Sequence, residues 1–528
     1  MSMRVRVGAL ATAAVLLAGT AAGCGDGDSG GTTPGADDGN SGARPAPGTA
    51  QGSAAVTPDS LPAALTGQKP DWRTCRAPEG GEEPGSQWRC ASVEVPLDYK
   101  DPDGTKISIA LIRKEARDKD RRLGSLLFNF GGPGASGVSA MPQAADGFKS
   151  LGARYDLVGF DPRGVAQSSG VVCRGDKEQA AAEKGVDLTP DTGAEEAAFL
   201  KDAADFGAGC ASRAGALISH VTTVNTARDL DLIRHVLGDP TLNYLGFSYG
   251  TQLGATYAHL FPRNAGRTVL DAVVDPTADT AGHARNQATG FQRALNNYFR
   301  STGESPEAGT ARVARLLKRL DRDPLPTSGS REVNQSLALT GIVQTLYAQS
   351  MWPYLTKALD EVERDGTGDL LLQLADSYNE RDEDGHYGTQ HHAQRAISCA
   401  DNSQRPTVAD AKALLPEFRR ISPVFGEFLA WDTAGWCAGW PVRGAAADWD
   451  ASAPGAGPIL VVGTTGDSAT PYEGAKKMAD ELGEGVGILI TNKGEGHGAY
   501  GTSSCVTRAV DAYLLDGKVP ASGTTCTA

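Results

Sequence analysis

Seven residues, Leu245-Gly246-Phe247-Ser248-Tyr249-Gly250-Thr251, constrain the folding of this chain more than any other stretch. A strand-like apolar run (Leu242, Tyr244, Leu245) leads into them, and Leu253, Tyr257 and Leu260 follow at helical spacing until Phe261-Pro262 ends the pattern. A G-x-S-x-G between a strand and a helix holds its serine in a sharp, strained turn and lifts the hydroxyl above the sheet edge. Glycines flank the serine because a Cβ on either side would meet the neighbouring strand or helix. With 66 glycines in 528 residues, a bare G-x-S-x-G arises easily by chance. The strand-turn-helix setting is what makes Ser248 a candidate nucleophile.

The surrounding pattern supplies a sheet for that turn. Strand-like runs occur at 93–99, 107–112, 126–130, 157–160 and 269–274, with helical patterns such as 229–237 between several of them. Strands alternating with helices predict an α/β fold, a mostly parallel sheet covered on both faces. From about 280 to 440 the chain changes to long amphipathic helix patterns. Strand character returns at 459–463 and 486–491, and a helical tail covers 505–515. The expected organisation is a sheet domain in two pieces, 66–280 and 441–528, interrupted by a helical cap at 281–440.

Ahead of this lies an export pattern. Arg4 and Arg6 precede an apolar run at 9–22, too short for a comfortable membrane span, which reads as a signal peptide over 1–23. Thr20-Ala21-Ala22-Gly23-Cys24 resembles a lipobox, with Ala21 where leucine is usual. Lipid attachment at Cys24 is the favoured reading and simple secretion the alternative. Residues 24–65 are Gly, Ser, Thr, Pro, Ala and Asp with few large apolar side chains, a flexible tether. Of nine cysteines, assigning Cys24 to lipid leaves eight. Sequence neighbours suggest Cys75–Cys90, Cys173–Cys210, Cys399–Cys437 and Cys505–Cys526, in an extracytoplasmic, oxidising compartment. No CxxC is present to suggest a thiol redox centre or a cysteine zinc site. A net charge of −14 without a basic cluster argues against a nucleic-acid partner.

A serine hydroxyl needs a base, and the base an orienting carboxylate. On a strand-turn-helix sheet of this type they follow in the order Ser, acid, His. His497, in Gly494-Glu495-Gly496-His497-Gly498, is the histidine that follows the late strands. Asp467, ending Gly463-Thr464-Thr465-Gly466-Asp467, leaves the preceding strand, and it is better placed than its rivals Glu473 and Glu495. Thr470-Pro471 is read as shaping that loop. Phe130-Gly131-Gly132-Pro133-Gly134 follows a strand as an oxyanion loop should, and lacks the G-K-[ST] ending of a phosphate loop. The expected donors are the backbone amides of Tyr249 and Gly132, with Gly131 as the alternative to Gly132. His386, His391 and His392 lie in a polar stretch without metal-ligand spacing and read as a solvated loop, so neither metal nor cofactor is expected. Tyr347, Trp352 and Tyr354 read as packing within the insertion.

With these parts in place the chain resembles the secreted tripeptidyl aminopeptidases of actinobacteria, a prolyl-aminopeptidase-like branch of the α/β-hydrolases that includes mycobacterial-type envelope lipoprotein proteases. The resemblance covers most of 70–526. It is carried by Val95-Pro96-Leu97-Asp98-Tyr99, Asn129 to Gly134, Asp161-Pro162-Arg163-Gly164, the serine turn, Ala396-Ile397-Ser398-Cys399, Cys437-Ala438-Gly439-Trp440-Pro441, Asp467 to Pro471, and Gly496-His497-Gly498. It implies an α/β-hydrolase fold with a helical cap that limits access. The activity implied is a serine exopeptidase acting on the free N-terminus of peptides or proteins. Phe130 departs from the histidine that precedes Gly-Gly-Pro-Gly in strict prolyl aminopeptidases, which argues against single-proline release. Such an enzyme also needs a carboxylate for the substrate's ammonium, and Asp401 is one candidate. An esterase and an envelope endopeptidase are the rival hydrolases, and an envelope scaffold is the non-enzymatic rival. Membrane contact is expected only through Cys24, and the oligomeric state is not legible.

Overall fold

Each central strand sends alternate side chains to opposite faces, as the two-residue period of a pleated strand requires. A computed structural model describes residues 56–77, 83–445 and 449–527; the expected signal peptide, Cys24 and most of the tether lie outside them. The strands are β1 (Arg73–Thr74), β2 (Arg89–Pro96), β3 (Lys106–Lys114), β4 (Gly124–Asn129), β5 (Tyr155–Phe160), β6 (Leu242–Phe247), β7 (Ala265–Asp271), β8 (Ile459–Gly466), β9 (Gly487–Glu495) and β10 (Thr524–Thr527). They form one sheet in the order β1-β2-β3-β5-β4-β6-β7-β8-β9-β10. The first three pairings are antiparallel, and every pairing from β5 onward is parallel.

Leu127, Leu242, Tyr244, Ile459 and Val461 face the layer that holds the helices Thr223–Val236, Tyr249–Leu260 and Tyr472–Leu482. Leu126, Phe128, Leu245, Leu460 and Val462 face the opposite layer, with Gly137–Ala144 and Ser504–Asp516. Both faces of the parallel part are therefore dry, which explains why its strands read as nearly continuous apolar runs. The run at 269–274 is shorter than its sequence suggests. β7 stops at Asp271 because Ala272 adopts a left-handed φ of +59°, turning the chain out of the sheet. The run at 93–99 is shifted, occupying Arg89–Pro96 instead. β1 and β10 are short edge strands with no periodicity to announce them.

Between β7 and β8 the chain is helical, from Thr280–Thr302 through Gly426–Gly435, and much of this insertion has a core of its own around Phe291, Leu295, Phe299, Ile342, Leu355, Phe418 and Phe425. One of its helices, Gln390–Asp401, instead buries Ala393, Ala396 and Ile397 in the cluster that contains Tyr249 and Leu127. The cap is thus clamped onto the sheet domain at the serine turn. All four neighbouring cysteine pairs are bonded, Cys399–Cys437 among them, as an extracytoplasmic chain would have them.

The Asp161-Pro162-Arg163-Gly164 motif has a structural reason. Arg163 is fully buried; its guanidinium donates to both Asp229 oxygens (2.6 and 2.7 Å) and to the carbonyls of Pro96, Leu97 and His220. Every donor direction it offers has a use, which is what makes a buried ion pair tolerable. Asp229→Ala would strand the cation and is expected to cost about 3–5 kcal/mol, read as a fall in the urea midpoint at unchanged slope.

Candidate active site

β6 ends at Phe247, the helix Tyr249–Leu260 begins one residue later, and Ser248 makes the turn between them at φ +56° and ψ −123°. Such a conformation persists only where the surroundings enforce it. The close approach is visible at the flanking glycines: a Cβ on Gly246 would stand 2.4 Å from the Gly250 carbonyl oxygen, and one on Gly250 2.7 Å from that of Asn129. The Ser248 amide donates to the Asp271 carbonyl at 3.0 Å.

Asp467 follows β8 and is fully buried. Its carboxylate accepts the amides of Ala469 (3.0 Å) and Thr470 (2.9 Å), and His497 Nδ1 lies 2.9 and 3.1 Å from its two oxygens. Thr470 Oγ1 stands 3.2 Å from Asp467 Oδ2 and 3.3 Å from His497 Nδ1, a direct physical sense in which Thr470 shapes the loop. Burial opposes the imidazolium, but the charge and hydrogen bond of Asp467, with the charge of Asp271 behind them, outweigh it and raise the His497 pKa above its ordinary value. The rivals are elsewhere engaged: Glu473 pairs with Arg293 and Glu495 accepts from Asn297. Ser248 and His497 line one cavity of ≈ 210 Å³. The Ser248 hydroxyl has no side-chain hydrogen bond among the described residues, an open arrangement usual before substrate is bound.

Two further carboxylates brace this constellation. Asp271, at the end of β7, accepts the amides of Ala499 (3.1 Å) and Tyr500 (2.7 Å), tying the loop beyond His497 to the strand next to β6, whose last carbonyl accepts the Ser248 amide; burial pushes its carboxyl up to about 6. Asp401 does not line the cavity. It accepts the Thr223 amide (2.7 Å) and hydroxyl (2.6 Å), and that hydroxyl meets the Tyr249 phenol at 2.5 Å. It therefore links a cap helix to the residue after the serine, and the candidate role of holding a substrate ammonium does not fit its position.

On the oxyanion side the two glycines differ. The Gly131 amide is committed to Asn129 Oδ1 at 3.0 Å, whereas the amides of Gly132 and of Tyr249, the first residue of its helix, make no hydrogen bond to protein among the described residues. Gly132 lines the cavity and Gly131 packs behind Ser248, where a Cβ would come within 2.8 Å of the serine Cβ. Free amides at a helix start and a loop are what a developing oxyanion needs. The cap helix Gln390–Asp401 seats directly on this loop, its Gln390 carbonyl oxygen 2.5 Å from where a Gly134 Cβ would be.

Of the three histidines expected in a solvated loop, His386 is in one and His391 and His392 are not. His391 and His392 lie on the helix Gln390–Asp401; His391 lines the cavity, while His392 is buried against Cys173 and Phe206. His386 is exposed and pairs with Asp176. Tyr347 also lines the cavity, its ring edge-on to His497 at 5.5 Å and its carbonyl accepting the His497 amide at 2.8 Å. Trp352 is cap core and Tyr354 is exposed. The cavity residues that sequence reasoning passed over come from the cap (Tyr378, Glu380, Gln394) and from the aromatic side of the core (Phe148, Phe247, Tyr500).

A family model described as TAP-like protein matches residues 422–526. Serine protease Hip1 of Mycobacterium tuberculosis is 37% identical over 486 residues, covering 87% of this chain and 91% of that protein. Carboxylesterase B of the same organism is 36% identical, covering 86% and 89%. Tripeptidyl aminopeptidase of Streptomyces lividans is 30% identical, covering 86% of each.

Proposed function

Since this chain belongs to the tripeptidyl-aminopeptidase-like family of α/β-hydrolase serine peptidases, we propose that it releases short peptides, tripeptides foremost, from the free N-terminus of peptides or proteins. In this reading His497 takes the Ser248 proton as the hydroxyl attacks the scissile carbonyl, and Asp467 holds the imidazole in the required tautomer. The Gly132 and Tyr249 amides meet the oxyanion. His497 then protonates the leaving amine, and water repeats the sequence on the acyl-enzyme.

The observation that carries the N-terminal reading is Glu380. It is the single carboxylate among the described residues that line the cavity, and no lysine or arginine accompanies it there. Its Oε2 accepts the Gln390 amide at 3.1 Å, and Oε1 has no hydrogen-bond partner among the described residues. An α-ammonium entering this cavity finds one counter-charge, held on the cap at a distance from Ser248 that would set how many residues precede the cut. Its left-handed φ of +53° is backbone strain of the kind that gathers at ligand sites.

Glu380→Gln is expected to raise KM for a free-amine tripeptidyl amide roughly 10- to 100-fold, with kcat changed far less, since a charge-assisted hydrogen bond contributes about 1.5–3 kcal/mol. Mass spectrometry of an unblocked twelve-residue peptide during digestion tests the reading itself. Successive losses of three residues from the N-terminus support it, and internal fragments appearing first overturn it. A carboxylesterase reading has one observation in its favour, the half-buried Phe130 and Phe247 in the cavity wall, and hydrolysis of esters without any peptide cleavage would establish it. We also take Cys24 to carry the lipid that tethers the protein outside the membrane, which a membrane-fraction assay of Cys24→Ala checks.

A further inference from the structure

Four aromatic rings make up one wall of the cavity, and neither the acyl chemistry nor the Glu380 anchor uses them. Phe130 and Phe247 stack at 6.2 Å with planes 5° apart, and Phe148 and Tyr500 stack at 5.5 Å and 17°. Phe148 joins the two pairs, 6.5 Å from Phe130 and 6.4 Å from Phe247. The Tyr500 hydroxyl is spent on Asp511 at 2.7 Å, so its polar end is already satisfied. Phe148 and Tyr500 are buried, while Phe130 and Phe247 are only half-buried and line the space beside Ser248. Apolar surface left open in an otherwise dry wall is the signature of a side-chain subsite.

Which half of the substrate uses it follows from proton traffic. His497 must reach the serine oxygen and then the leaving nitrogen, so the leaving peptide departs along the loop that carries His497. Tyr500 and Gly501 of that loop line the cavity, and Tyr500 is the ring stacked on Phe148. Glu380, the carboxylate available for the substrate's ammonium, belongs to the cap side with Tyr378 and Gln390. The acyl half therefore runs toward the cap and the leaving half along the aromatic wall.

We infer that Phe130, Phe148, Phe247 and Tyr500 form the subsite for the first residue of the leaving peptide, and that it selects a large apolar or aromatic side chain at that position. The inference rests on the peptidase reading above. It places the specificity of the enzyme on the amine side of the scissile bond as well as on the acyl side.

The test holds the acyl half constant. Tetrapeptide amides Ala-Ala-Ala-Xaa-NH2 with Xaa phenylalanine, leucine or glycine are compared by kcat/KM, beside a tripeptide ester that lacks a leaving residue. The expected result is about tenfold or more in favour of phenylalanine and leucine over glycine, the range a filled apolar pocket provides. The acyl-enzyme formed from the ester should likewise transfer to added phenylalaninamide in preference to glycinamide. Phe130→Ala should reduce the phenylalanine-to-glycine ratio to within about threefold, and Phe130→Leu should keep part of it. If Phe130→Ala does not fold, the wild-type ratios and the transfer experiment still decide. Equal cleavage of all three amides, or transfer indifferent to the amine, overturns the subsite while leaving the peptidase reading standing. Hydrolysis of the ester with no amide cleaved overturns both.

Discussion

Ser248→Ala is expected to lower kcat for a tripeptidyl amide by on the order of 10⁶-fold, with KM little changed. The size follows from a single role. Without the hydroxyl no acyl-enzyme forms, and what remains is the contribution of the oxyanion donors and of substrate binding, on the order of 10³–10⁴ over water. Alanine retains a Cβ at φ +56°, so the turn keeps its strain and the fold its urea midpoint. A fluorophosphonate probe should label the native protein once and the variant not at all. Residual turnover within about a hundredfold of native would move the nucleophile elsewhere.

Asp467→Asn is expected to reduce kcat by about 10⁴-fold with the geometry intact. The carboxylate accepts from Ala469, Thr470 and His497 together, and an amide in its place offers an N–H toward Nδ1. The imidazole then carries its proton on Nε2 and cannot serve as base. The pH profile should move as well. Activity needs the neutral imidazole, and the folded-state pKa of His497 is raised, so kcat/KM of the native enzyme is present at high pH. It falls as pH drops through a value above the ordinary ~6.5. Removing the Asp467 charge leaves burial as the largest influence, which favours the neutral form, and the acid limb shifts to lower pH. A rate within tenfold of native and an unmoved limb would show that His497 takes its orientation from another group.

How much of this was legible in the sequence depended on whether the signal was local. The serine turn was, because a strand, two glycines and a helix in immediate succession have one steric solution, and Leu242 to Leu260 adopt it. His497 and Asp467 were legible through chain order along a parallel sheet, since both leave the carboxyl ends of adjacent strands. The sequence left Gly131 and Gly132 as alternatives, and the difference between them is a single hydrogen bond, donated by the Gly131 amide to Asn129 Oδ1. Glu380 could not be found from a sequence. It reaches the cavity from a helical insertion whose docking is set by Ala393, Ala396 and Ile397 joining the cluster of Leu127 and Tyr249, residues far from it in the chain. His391 and His392 were misread for the same reason: a polar-looking stretch is helical here because one face is buried against the sheet domain. Strand ends failed where a single backbone angle decided them, as at Ala272.

The measurement that bears most directly on the account compares one tripeptidyl chromogenic amide with a free amine and its N-acetylated twin, using the native enzyme. The free substrate should be cleaved, and acetylation should lower kcat/KM by about a hundredfold or more, because Glu380 then faces a neutral amide in place of an ammonium. Equal cleavage of the two would contradict it and make this protein an endopeptidase that uses the same serine.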